Sequence, residues 1–228
     1  MTDYPRIARK ITIVLFLSQS LSSAGFIAAF TVNALVGVEL SGQKAMAGVP
    51  GAVYVLGQAF GALVWGFSMD RIGRRGGLAL GQVLGVIGSA IAMSAVVGRS
   101  LPLFLMGLVL VGMARSAVDL GRFAAAEVHL PSERGRAISH VVLGSTVGAI
   151  LGPLLVGPTG TLAQWAGFSE LAGPYSVGFI GLILAAILIF AGLRPDPETS
   201  GANSPAYIRN RSPGRGPAPL QGLYGNRG

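Results

Sequence analysis

Among its 228 residues the chain has no cysteine, which excludes disulfides, thiol catalysis and cysteine-based metal sites and leaves the redox compartment open. Charge is also scarce. Asp, Glu, Lys and Arg together make up 11% of the residues, against about 25% in an ordinary soluble domain. A soluble domain of this length could bury a large core, but it would still need a charged coat, and these charges are too few to supply one. Histidine is limited to His129 and His140, with no second ligand at metal-binding spacing. No His-Glu-x-x-His, Gly-x-Ser-x-Gly or phosphate-loop pattern is present. The sequence therefore offers no nucleophile–base pair, no metal set and no cofactor motif, and neither enzymatic activity nor a bound cofactor is expected.

What the chain has instead is apolar length. Hydrophobic residues are 51% of it, and its mean hydropathy is +0.63. Its 35 glycines suit closely packed membrane helices. Six apolar runs approach the ~20 residues that cross a bilayer. They span approximately residues 11–38, 45–69, 76–98, 101–126, 137–157 and 175–193. Backbone in lipid must satisfy its own hydrogen bonds, so such runs become helices. The first run follows Arg6, Arg9 and Lys10, and Ser22-Ser23-Ala24 resembles a cleavage site. The apolar character continues from Phe26 to Val38, so a retained helix is expected rather than a signal peptide.

The net charge of +8 raises the question of nucleic acid, but the basic residues fall in short clusters between apolar runs. With the N-terminus placed in the cytoplasm, fourteen Lys and Arg residues fall on the cytoplasmic side and only Lys44 and Arg99 outside. This positive-inside bias supports an even number of crossings, with both termini cytoplasmic and no nucleic-acid partner. After Arg194 the composition shifts to Pro, Gly, Asn and Arg without apolar periodicity. The expected division is a membrane bundle over residues 1–194 and a disordered cytoplasmic tail over 195–228. The tail could serve as a linker, touch lipid through its arginines, or reflect an altered reading frame.

Between the second and third runs stands Gly66-Phe67-Ser68-Met69-Asp70-Arg71-Ile72-Gly73-Arg74-Arg75. A glycine at position 66 would let one helix end close to a neighbour, and Gly73 would permit a tight turn. Asp70 and Arg74 could pair one helical turn apart. The segment resembles Gly-x-x-x-Asp-Arg-x-Gly-Arg-Arg/Lys, the cytoplasmic signature of the major facilitator superfamily, in the loop where that family carries it. Glu127, followed after six residues by Arg134-Gly135, resembles a loop motif of the family's sugar transporters. In the family these charges join the first cluster in one network. Gly144, Gly148, Gly152-Pro153 and Gly157 resemble a Gly-x-x-x-Gly-Pro motif of its antiporters. Glycines four apart allow backbones to touch, and Pro153 favours a kink. Gly77, Gly81 and Gly85, followed by Ser89, form a similar stripe. The resemblance covers residues 11–193. It implies an all-α integral membrane protein, a six-transmembrane-helix bundle like the N-terminal half of the family's fold, in the cell (inner) membrane.

The fourth run carries charge within its apolar stretch. Arg115 and Asp119 are four residues apart and share a helix face, which Arg122 extends. A charge at the bilayer centre costs at least ~2.5–3.5 kcal/mol, so Arg115 should face the interior and pair. Two readings stand: a substrate or proton-coupling group in a cavity, or a structural ion pair. Gln19, Ser22, Phe26 and Asn33 share one side of the first helix, and Tyr54, Gln58, Gly61 and Trp65 one side of the second. Each stripe would line a cavity or make interhelical hydrogen bonds. The resemblance implies secondary active transport of a small solute by alternating access, as proton-coupled antiport or symport. A six-helix chain needs a second half, as a homodimer or a separate chain. A non-transporting scaffold or an inactive fragment of a transporter is the competing reading.

Overall fold

The computed structural model describes residues 4–192, apart from 128, 130 and 131; residues 195–228, expected to be a disordered tail, lie outside the described residues. The described residues contain helices and no strand: α1 (Tyr4–Ser41), α2 (Val49–Val97), α3 (Leu101–Asp119), α4 (Gly121–Glu127), α5 (Arg134–Trp165) and α6 (Gly173–Gly192). Short 3-10 turns at Lys44–Gly48 and Glu170–Ala172 lead into α2 and α6. Five helical segments among them are long and apolar enough to cross a membrane, with α3 and α4 forming one such segment over Leu101–Ala126.

α2 is two arms rather than one rod. Gly73, at φ 76° and ψ 162°, leaves the helical region inside it, in a conformation open to glycine and costly for other residues. In the first arm, Gly57 and Gly61 lie against Val109 and Met113, so this arm runs with α3. In the second, Gly81 lies against Ala117, Gly85 against Ala114 and Gly88 against Val111, so this arm runs against α3. Both arms pack along the same helix in opposite directions, and the chain therefore folds back at Gly73.

The helix boundaries depart from the sequence reading in three places. The turn between the second and third runs is confined to Gly73 instead of occupying residues 70–75. The fourth run divides at Leu120, where the N–H bonds to the carbonyls of Ala117 and Ser116. α5 continues to Trp165, past Gly157, with Pro153 and Pro158 inside it. Each proline removes one helix hydrogen bond. The hydroxyls of Thr159 and Thr161 donate to the carbonyls of Leu155 and Gly157, at 2.6 and 2.9 Å, which helps hold this turn together.

The interior is layered. At the arginine-rich end, Ile11, Leu15, Met69, Leu78, Val141 and Ile189 form one apolar cluster. At the opposite end, Phe26, Val36, Phe104, Leu108, Tyr175 and Leu182 belong to a second. Between the two lie Gln19, Ser22, Ser23 and Gln82, which are buried, and the partly exposed Arg115 and Asp119. This polar belt at mid-height is drawn from α1, α2 and α3.

Candidate functional site

α1 sends one polar or aromatic side chain to each of four neighbours. Gln19 Nε2 donates to Ser145 Oγ on α5 at 2.8 Å. Ser22 and Gln82 on α2 exchange hydrogen bonds at 3.1 and 2.8 Å. The guanidinium of Arg115 on α3 stands 5.5 Å from the centre of the Phe26 ring. Tyr175 on α6 donates its hydroxyl to Asn33 Oδ1 at 2.7 Å. Gln19, Ser22, Phe26 and Asn33 are all at most 5% exposed. Of the two readings of this stripe, the structure gives interhelical bonding: Gln19 and Asn33 line no open path. Asn33 Nδ2 is buried without a hydrogen-bond partner.

A different arrangement surrounds α3. Arg115 Nε donates to Asp119 Oδ2 at 3.2 Å, and the two side chains keep 18% and 30% of their surface exposed. Gln58 Nε2 on α2 reaches the same carboxylate oxygen at 3.4 Å. Arg115 also reaches Ser23 Oγ on α1 at 3.4 Å. Tyr54, on the Gln58 face one turn earlier, lies within electrostatic reach of both charges and packs its ring on Phe30 at 5.3 Å. Trp65 donates to the carbonyl of Met113 at 2.8 Å, fixing the first arm of α2 on α3. Thus Tyr54, Gln58, Arg115 and Asp119 come together with Ser23, whereas Gln19 and Asn33 do not join them. The ion pair brings two opposite charges together, and both side chains remain partly exposed.

The arginine-rich turn differs from its expected geometry. Gly66 is exposed with no atom near its missing Cβ, so it makes no close approach, and the helix does not end there. Asp70 is exposed and makes no ion pair with Arg74. The reason is local: the non-helical Gly73 between them destroys the i,i+4 spacing on which that pairing depends. Arg71 is exposed and Arg74 half-buried. Arg75 turns inward: it donates to the carbonyl of Phe190 at 2.7 Å and lies 5.1 Å from that ring's centre. This places a cation on one of the last carbonyls of α6, where the helix dipole favours it. The side chain of Glu127 lies outside the described residues, and Arg134 stands exposed at the start of α5.

Gly144, Gly148 and Gly152 form the seam with α1. A Cβ at Gly148 would stand 2.5 Å from Ser23 Cβ and 2.6 Å from the carbonyl of Ser20. Gly157 is off this face, with nothing near it, because five residues rather than four separate it from Gly152. Gly160, eight residues after Gly152, packs on Glu170 instead. Pro153 is exposed on the side of α5 away from the seam. Four partners were not chosen from sequence: Ser23 for the cluster, and Gln82, Ser145 and Tyr175 for α1. Ser23 stands four residues after Gln19, so the stripe spacing would have found it; a lone amide in an apolar run was the signal for Gln82.

Among the described residues, no three His, Asp or Glu side chains gather at metal-binding distance. His129 and His140 each donate Nδ1–H to the carbonyl four residues earlier, at 2.9 and 2.7 Å.

The sequence and the fold both have known relatives. Residues 15–225 match the model of the Major Facilitator Superfamily. The chain is 34% identical over 189 residues to the uncharacterized MFS-type transporter YddS of Bacillus subtilis, covering 83% of this chain and 43% of that protein. It is 34% identical over 156 residues to the riboflavin transporter RfnT of Brucella anthropi, covering 68% and 39%. The crystal structure of a peptide transporter POT in complex with alafosfalin superposes with a TM-score of 0.63 at 17% identity, covering 92% of this chain and 47% of that one. The chain spans less than half the length of these curated relatives. It is an integral membrane protein with apolar spanning helices, and it belongs to the Major Facilitator Superfamily.

Proposed function

We propose that this chain forms one six-crossing half of a secondary transporter that moves a small solute by alternating access, with the cluster of Tyr54, Gln58, Arg115 and Asp119 on the solute or proton path. The observation that carries this reading is the exposure of the Arg115–Asp119 pair, at 18% and 30%, within the polar belt of an otherwise apolar bundle. Full enclosure of an ion pair strengthens its attraction but costs the desolvation of both charges, whereas partial exposure keeps the charges within reach of a polar solute. This one stays open, and three helices aim polar groups at it.

The chemistry follows from the pair. Asp119 neutralises Arg115 at rest. A solute anion, or a proton on Asp119, would release the guanidinium from its carboxylate, changing the charge balance between α2 and α3. Coupling by exchange of these two partners suits either antiport or symport. The fold-back at Gly73 supports counting the two arms of α2 as separate crossings, six in all, and the bias of fourteen basic residues against two favours both termini in the cytoplasm of the cell membrane. A second half is needed to complete the path. The chain itself carries out no chemical conversion, uses no cofactor and binds no nucleic acid.

The test is uptake into liposomes holding this chain with its co-purified partner, across riboflavin, small peptides, sugars and organic anions. Arg115→Lys should alter solute affinity or pH dependence while the folded protein remains. If no solute moves above protein-free liposomes and no second half co-purifies, the scaffold or fragment reading takes its place. A periplasm-only reporter fused after Leu193 should be silent; strong activity there would overturn the six-crossing topology.

A further inference from the structure

At the end opposite the Gly73 turn, a half-open cavity of about 300 Å³ lies between the second arm of α2, the last turns of α5 and the start of α6. That is near the lower size of sites that hold small ligands. Met93 and Val97 form one wall, Leu162 and Ala163 another, and Phe168 and Ala172 a third, leading towards α6. Two hydroxyls lie in the lining, but neither is free. Thr159 donates to the carbonyl of Leu155 at 2.6 Å, and Ser176 donates to the carbonyl of Gly173 at 2.6 Å. The lining thus offers no unspent donor, and water would find too few partners there. An apolar occupant would gain the dispersion contacts that a void forfeits.

Two further observations identify that occupant. Trp165 is 84% exposed and Phe168 54% exposed beside the cavity, at the end of the apolar span. Aromatic residues gather at this level of a bilayer, where headgroups meet acyl chains. Two residues from each of the lining residues Phe168 and Ala172 stands Glu170, exposed, with Gln164 donating to one carboxylate oxygen at 2.9 Å. Among the described residues no cation pairs with it. An exposed negative charge thus stands in the turn that supplies part of the wall of an apolar slot.

We propose that this cavity holds one acyl chain of a membrane phospholipid whose headgroup amine faces Glu170. The inference rests on the bilayer crossing of the helices, but it requires neither transport nor the second half of the transporter.

The test uses the full chain in vesicles of phosphatidylcholine doped with photoactivatable lipid carrying a diazirine on one acyl chain, headed by ethanolamine in one arm and glycerol in the other. Adducts should concentrate on residues 93–97 and 159–163 rather than on Leu56 and Leu63, which are exposed elsewhere on the bundle. The ethanolamine probe should exceed the glycerol probe about fivefold, the effect of roughly one charge near the headgroups. Glu170→Gln should remove that preference while leaving adducts in place. Ala163→Phe should remove the adducts, and Thr159→Leu serves the same purpose if the first variant does not fold. Even labelling of all exposed faces, or labelling unchanged by both filling variants, overturns the proposal. So does displacement of the adducts by a hydrophobic solute such as benzene at a concentration that leaves labelling of Leu56 unchanged, which would reassign the cavity to small apolar molecules. Failure of membrane insertion is read separately, by alkaline extraction, and would sink the membrane reading rather than the lipid site alone.

Discussion

The polar residues of α1 and those around α3 began as the same kind of evidence, yet the fold uses them differently. Gln19, Ser22 and Asn33 are buried and spend their side chains on α5, α2 and α6. Gln58, Arg115 and Asp119 stay partly exposed and share one carboxylate. A polar side chain in an apolar helix is therefore not a site by itself. It becomes a candidate when its partners leave part of it uncovered. Along α1 the polar groups bond across to neighbouring helices; around α3 they leave a charge pair partly uncovered.

The harshest way to break this comparison is to destroy the seam that holds α1 in place. Gly148→Leu would drive a side chain into Ser23 and the Ser20 carbonyl, with the missing Cβ already at 2.5 and 2.6 Å. Both neighbours belong to a packed helix that cannot swing aside. The loss should exceed the ~1–3 kcal/mol usual for an overfilled core, seen as loss of monodisperse protein in detergent. Gly157→Leu, which meets open space, is the matched control and should behave as the parent.

A smaller effect is expected at the charge pair. Arg115→Leu leaves Asp119 with only Gln58. Removing one partner of a fully buried pair costs ~3–5 kcal/mol, but these side chains are 18% and 30% exposed, so screening reduces the loss to about 1–2 kcal/mol. Thermal unfolding should show it, and adding Asp119→Leu should restore much of the stability without restoring transport. If the double variant transported normally, the pair would be a strut and the contrast with α1 would vanish.

How much of this was legible in the sequence depends on the range of the interaction. The apolar runs and the Gly73 turn are local properties, and the fold keeps both as helix and reversal while moving their boundaries. The i,i+4 relation of Arg115 and Asp119 is local too, and it survives because α3 is regular there. Asp70 and Arg74 carry the same spacing across a break, so the same rule fails. The choice between lining a cavity and bonding another helix was not legible at Gln19 or Asn33. It depends on Ser145 and Tyr175, which lie 126 and 142 residues away, and no periodicity within α1 reports on them. Gly157 shows how little separates the outcomes: a spacing of five instead of four moves a glycine from the seam to open space.

Gln82→Leu should sharpen the α1 side of the comparison. It removes the reciprocal bond to Ser22, and side-chain hydrogen bonds between membrane helices average ~0.6 kcal/mol. A modest fall in unfolding temperature with unchanged solute affinity is the expected result. Ser22→Ala added to it should cost little more, because both changes remove the same bond. A large change in solute affinity from either would place the buried pair on the path and dissolve the distinction between the two regions.

Asp70→Asn should have the smallest effect on stability and is the most informative about a contact beyond this bundle. The carboxylate is exposed and makes no ion pair with a described residue, so neutralising it within the same shape should shift stability by no more than about 0.5 kcal/mol. Arg75, a few residues away, holds α6 through the Phe190 carbonyl, so the turn keeps an anchor that does not involve Asp70. If the second half supplies a partner to Asp70, uptake by the assembled transporter should fall sharply while the unfolding temperature of this chain alone stays the same. Arg75→Leu should give the opposite pattern, a lower unfolding temperature in the isolated chain. Equal loss of stability from both variants would mean that Asp70 works within this bundle and that the turn is complete without a second half. Full uptake by the assembled Asp70→Asn transporter would remove the charge from any latch between halves, leaving its place beside Gly73 as a feature of the turn alone.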